Sequence, residues 1–131
     1  MNRILVVEDD SSVGLWLSTT LSAAGYTVAV AGSLAEARSI FGAGRYDVVV
    51  VDWKLPDGSG ALLAREAQAC GSATLMISGY GLSLPQQAFD EAACLWKPFG
   101  AEDLLKGVEK QIALRSARSS AAGGDADLAG S

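Results

Sequence analysis

One acidic residue stands where packing asks for none. Val48-Val49-Val50-Val51 is an unbroken β-branched run, and it ends in Asp52. Such a run reads as a strand buried on both faces. A carboxylate at its end, followed by Pro56 and Gly58, falls on the rim where open α/β sheets place their sites. A second apolar run, Ile4-Leu5-Val6-Val7, ends the same way in Glu8-Asp9-Asp10. If the two strands are parallel neighbours, their ends lie about 5 Å apart, and two carboxylates at that separation repel by about 3 kcal/mol at an effective dielectric of 20. A bound divalent cation or a buried lysine would relieve that repulsion. An all-oxygen donor set without Cys or His suits Mg²⁺ or Mn²⁺.

The rest of the composition narrows the chemistry. The chain has 131 residues, half of them hydrophobic, and a net charge of −5. That is one domain with a real core. No basic run suggests a nucleic-acid footprint. No apolar stretch reaches transmembrane length and the N-terminus is strand-like, so a cytoplasmic protein is expected. Cys70 and Cys94 read as reduced small hydrophobes, with no CxxC motif. There is no histidine, which excludes Ser-His-Asp and Cys-His arrangements and any phosphohistidine on this chain. Chemistry must run on carboxylates, Lys, Ser, Thr or a metal.

Strands and helices alternate. Strands read at 3–7, 27–30, 47–51, 73–77 and 93–96, and helices at 11–24, 34–42, 59–70, 84–91 and 101–115. Gly25 falls where a left-handed cap ends the first helix. Ser33-Leu34-Ala35-Glu36 is a capping box opening the second. Leu104, Leu105, Val108 and Ile112 give the last its apolar stripe. Five βα units with right-handed crossovers predict a single doubly wound (βα)5 parallel sheet in a three-layer α/β/α arrangement. The three most apolar strands should be central, giving the order 2-1-3-4-5 with its switch point between the first and third strands. Both acidic clusters fall there. Residues 116–131 are small and polar, and a disordered tail is expected after a domain over 1–115.

Two further strand ends reach the same rim, at Ser78-Gly79 and Lys97-Pro98-Phe99. With Val6-Val7-Glu8-Asp9-Asp10 and Asp52-x-x-x-Pro56-x-Gly58-x-Gly60, they make the chain resemble the receiver domain of two-component response regulators over residues 2 to about 115. Each motif alone is weak; four in order, each at a strand end, are specific. The resemblance implies phosphorelay signal transduction rather than an enzyme's turnover. Asp52 would take a phosphoryl group from a partner histidine kinase or phosphotransfer protein, forming an aspartyl phosphate. Asp9, Asp52 and the backbone carbonyl of Lys54 would hold Mg²⁺, with Glu8 acting through water. Lys97 and Ser78 would stabilise the phosphoryl oxygens, and Gly79 would leave room for the donor. It also implies a cis Lys97–Pro98 bond, an unnamed downstream protein target, and a monomer or weak dimer through the fourth helix, fifth strand and fifth helix.

Other readings compete. A nucleotide- or flavin-binding module wants Gly/Ser/Thr-rich phosphate loops, and Glu8-Asp9-Asp10 would repel a phosphate. A haloacid-dehalogenase-like phosphatase wants a second Asp two residues after the nucleophile, where Lys54 stands. A degenerate receiver acting only as a protein-binding scaffold would not need the complete acceptor set. Glu8-Asp9-Asp10 could also be a solvated helix cap, and Asp52 an ordinary turn residue. Packing is the expected role of Trp16, Trp53, Trp96 and Tyr80. Lys106, Lys110, Arg115 and Arg118 are expected on a solvated helix end. Two departures bear on output. Cys94 stands where the family carries an aromatic switch residue, and the Ser78–Lys97 segment is short by nearly a helical turn, about 3.6 residues. Coupling is therefore expected to run through Ser78 and either Tyr80 or Trp96. The chain ends without an effector domain, as a stand-alone receiver or a piece of a longer protein.

Overall fold

The computed structural model describes residues 2–42, 44–78 and 94–130, with residues 116–130 described by backbone alone. The helix expected over 84–91, together with Gly79 and Tyr80, lies outside the described residues.

The apolar runs become the strands their composition predicts. β1 (Arg3–Val7), β2 (Thr27–Ala31), β3 (Val48–Asp52), β6 (Ala73–Ser78) and β7 (Cys94–Trp96) form one sheet in the order β2-β1-β3-β6-β7. This is the expected 2-1-3-4-5 order, since β4 (Lys54–Leu55) and β5 (Gly58–Ser59) form a separate two-stranded antiparallel hairpin. All four pairings in the main sheet are parallel, with Val7 opposite Val51 and Asp52 opposite Ile77. Every residue of β3 and β6 is buried, whereas the edge strands β2 and β7 are partly open. Two buried faces per central strand explain the absence of alternation in their sequences.

The two faces carry separate cores. Ile4, Val6, Val48, Val50, Leu75 and Ile77 pack with Leu17 and Leu21 of α1 (Ser11–Ala23) and Leu104 and Val108 of α4 (Ala101–Gly130). Leu5, Val7, Val49, Val51 and Met76 pack with Leu34 of α2 (Leu34–Gly42) and Leu63, Ala64 and Ala67 of α3 (Gly60–Ala69). This is the α/β/α sandwich. α1 and α3 end in the same device. Gly25 (φ 100°) and Gly71 (φ 90°) take left-handed conformations. The Tyr26 and Ser72 amides then reach back to the carbonyls of Leu21 and Ala67, a Schellman closure at each helix end.

Two expectations need correction. The 54–59 hairpin was not anticipated: Pro56-Asp57-Gly58 reads as a turn, but flanking strands of two residues each leave no periodicity to detect. The backbone of α4 runs to Gly130, with no proline between 101 and 130. Arg115 does not mark a solvated end. Its guanidinium donates to the Gly71 carbonyl at 2.7 Å and pairs with Asp47 at 3.1 Å, tying α4 to the loops flanking β3 and β6.

Candidate phosphoacceptor site

The site grows out of strand parity. Side chains alternate along a strand, so Glu8, Asp52 and Lys97 fall on the same face as Val6, Val50 and Leu95, one step past the buried run. The ladder pins each of these ends. Glu8 N–H donates to Ala31 O at 2.9 Å, Trp53 N–H to Ile77 O at 2.8 Å and Lys97 N–H to Ser78 O at 2.9 Å. The acidic residues and the lysine are thus held by backbone at the carboxyl ends of three strands, β1, β3 and β7.

Their side chains meet. Lys97 Nζ lies 3.3 Å from Glu8 Oε2 and 3.3 Å from Asp52 Oδ2. Glu8 is 3% exposed and Asp52 6%, while Asp9 is open to solvent. Carboxylate oxygens of Glu8, Asp9 and Asp52 all lie within 4.8 Å of one another. Glu8, Asp9, Asp52, Lys54 and Lys97 line one open cleft of about 390 Å³. Glu8 Oε1 accepts from the Asp10 amide, and Asp52 Oδ1 from the Lys54 amide, both at 3.2 Å.

The electrostatics follow from burial. Desolvation pushes the Glu8 carboxyl up to about 7, and its hydrogen bond and charge repulsion with Asp52 push the same way, against the pull of Lys97 and the Asp10 amide. Burial alone would lower the Lys97 ammonium, but the Asp52 and Glu8 charges outweigh it and hold it above its ordinary value. The rim thus concentrates acid groups around one cation and leaves oxygen donors facing open space. An all-oxygen cluster of this kind fits Mg²⁺ or Mn²⁺.

The remaining sequence candidates divide. Asp10 takes the bland role: its Oδ1 accepts from the Ser12 and Val13 amides at 2.9 and 3.2 Å and caps α1. Ser78 ends β6, fully buried, beside Trp96 on β7. It is not among the residues lining the cleft. The Lys97–Pro98 bond is cis. Cys94 packs against the α2–α3 core, but Cys70 is an exposed helix cap rather than a packed hydrophobe. Trp53 packs against the same core. Trp96 does not follow the packing expectation, being 51% exposed. Trp16 is 39% exposed and meets Phe99 at 5.9 Å between ring centroids. Among the described residues no helix is long and apolar enough to cross a membrane.

A flavodoxin-type sheet with a lysine-bridged acidic cluster at its switch point defines the class. The chain belongs to the response regulator receiver domain family, whose sequence model matches residues 4–109. The response regulator receiver protein CpdR of Brucella abortus is 30% identical over 117 residues, covering 86% of this chain and 98% of that protein. The chain spans about half or less of the transcriptional regulatory proteins it also matches. Among solved structures, a CheY-like receiver domain from Methanospirillum hungatei superposes with a TM-score of 0.81 at 26% identity, covering 90% of this chain and 98% of that one. TrrA of Thermotoga maritima, solved with Mg²⁺ and BeF, superposes at 0.73 with 30% identity, covering 85% and 99%.

Proposed function

We propose that Asp52 accepts a phosphoryl group from a partner histidine kinase or histidine phosphotransfer protein in a Mg²⁺-dependent reaction. The phosphorylated state then changes how this domain binds a downstream protein. The observation that carries this is the convergence of Asp52, Glu8, Asp9 and Lys97 on one open cleft. A domain used only as a scaffold has no need of a desolvated Glu8 and a lysine shared between two carboxylates.

In this reading an Asp52 carboxylate oxygen attacks phosphorus in line with the donor's P–N bond. The P–N bond breaks, the imidazole leaves with its electron pair, and an acyl phosphate forms on Asp52. Phosphoryl transfer depends on positioning and on neutralising the equatorial oxygens. The β3 ladder and the Lys54 amide hold the Asp52 side chain in place. Lys97, already beside Asp52, turns its ammonium from carboxylate to phosphoryl oxygen as the charge arrives. Ser78 would donate its hydroxyl to another of these oxygens. Asp9, Asp52 and the Lys54 backbone carbonyl would hold Mg²⁺, with Glu8 acting through water; when bound, the ion neutralises charge on the acceptor and the transferred group. The TrrA complex with Mg²⁺ and BeF supports the same ligand class here. The domain acts as a phosphoacceptor, with self-phosphorylation from small donors and self-dephosphorylation as its only chemistry. A cytoplasmic location, a domain over 1–115 and output through a protein contact complete the reading.

The test is labelling by acetyl phosphate. The protein should gain one hydroxylamine-sensitive phosphoryl group with Mg²⁺ and none with excess EDTA. Labelling that ignores EDTA would overturn the cation's role.

A further inference from the structure

The loop that carries Lys54 is fastened to a helix that has no part in the chemistry. Asp57 Oδ1 accepts from the Leu34 amide at 2.8 Å, and Oδ2 accepts from the Ala35 amide at 3.0 Å, across 23 and 22 residues of chain. These are the first two amides of α2, which have no partner within the helix. The local cap Ser33 satisfies a different amide, that of Glu36, at 3.1 Å. Two oxygens of one carboxylate on a positive helix end make a strong, directional link, and they hold the Asp57 carboxyl below its ordinary range.

Packing reinforces the link. Gly58 has φ +148°, and a Cβ there would lie 2.7 Å from Leu34 Cδ1. The hairpin therefore rests directly on the first residue of α2. It pairs only Lys54 with Ser59 and Leu55 with Gly58, and so short a hairpin has no stability of its own. Its position is set by four anchors: the end of β3 at Asp52, the close contact of Gly60 with Asp52 where α3 begins, Asp57 on α2 at the tip, and Leu55, buried in the core beneath α2 and α3. Lys54 lies between the first and third of these.

We propose that Asp57 is a positioning residue for the cation site. It clamps the hairpin tip to the N-terminus of α2 and so fixes Lys54 at the cleft, and occupancy of the cleft in turn tightens the clamp. This rests on the reading of Lys54 as a backbone ligand of Mg²⁺. Because coupling between two equilibria is reciprocal, it has a signature at each end.

The test is a titration of Mg²⁺ alone into the full chain, followed by the amide chemical shifts of Asp52 and Lys54. Asp57→Ala should weaken Mg²⁺ by about five-fold, the scale of losing a helix cap. Asp57→Asn keeps one of the two acceptors for α2 and should fall between wild type and Asp57→Ala. Ser33→Ala removes a cap from the same helix without touching the hairpin, and should leave Mg²⁺ affinity unchanged. In wild type, saturating Mg²⁺ should slow hydrogen exchange at the Leu34 and Ala35 amides, a measurement that needs no variant to fold. A wild type with no response to Mg²⁺ refutes the cation site itself. A wild type that binds, with Asp57→Ala binding equally well, overturns the clamp. Equal weakening by Asp57→Ala and Ser33→Ala, no rescue by Asn, or unchanged exchange at Leu34 and Ala35 would overturn it too.

Discussion

Lys97 Nζ stands 3.3 Å from Asp52 Oδ2, joining residues 45 apart in sequence at the carboxyl edge of the sheet. The same nitrogen reaches Glu8 at 3.3 Å. One cation thus compensates two buried acids, and the stability of the metal-free protein depends on it. Lys97→Met should cost about 2 kcal/mol at pH 8, above the Glu8 value of about 7, where its ion pair with Glu8 is made. The cost should shrink at pH 5, where Glu8 carries its own proton. Urea unfolding in EDTA at the two pH values checks this.

Glu8 itself sets a pH dependence. Its folded value is about 7 against an ordinary 4.5. Between those values the folded protein holds a proton that the unfolded chain releases. The stabilisation is therefore complete below about 4.5 and is lost as pH rises through about 7, by up to about 3 kcal/mol. Glu8→Gln cannot titrate. Relative to wild type it should gain stability as pH goes from 5 to 8 in EDTA. A constant difference between the two proteins across that range would refute the assignment.

Gly60 is fixed by a close approach. A Cβ there would meet the Asp52 carbonyl oxygen at 2.0 Å, and its amide donates to Trp53 O at 2.8 Å. Backbone cannot yield as a side-chain tip can. Gly60→Ala should cost about 3 kcal/mol or more and displace Asp52. Thermal unfolding and loss of acetyl phosphate labelling should appear together.

Arg115 offers a prediction away from the site. Its side chain holds Asp47 and the Gly71 carbonyl from α4. Both partners are partly exposed, so Arg115→Ala should cost only about 1 kcal/mol. It should leave Mg²⁺ binding unchanged. A loss of Mg²⁺ affinity in that variant would mean that α4 bears on the cleft.

What the sequence made legible is what depends on period and position. Asp52, Glu8 and Lys97 end apolar runs in strands whose parity puts them on one face, and that pattern needs no knowledge of contacts. The order of the strands followed from which runs were most apolar. Long-range polar contacts left no such trace. Asp57 next to Gly58 signals a turn, but nothing local says that its partners are the amides of Leu34 and Ala35. Arg115 sits among helix-end cations and is distinguished only by Asp47 and Gly71, which the fold brings to it. Asp10 shared the acidic cluster with Glu8 and Asp9, and only geometry separates the helix cap from the buried acid and the solvent-facing one.

The central claim is that Asp52 is the phosphoacceptor. Wild type and Asp52→Asn should be incubated with acetyl phosphate and Mg²⁺ and weighed intact by mass spectrometry. The account predicts one added phosphoryl group on wild type, reversed by hydroxylamine, and none on Asp52→Asn in protein that remains folded. Equal phosphorylation of a folded Asp52→Asn, or a modified residue that maps elsewhere, would contradict it.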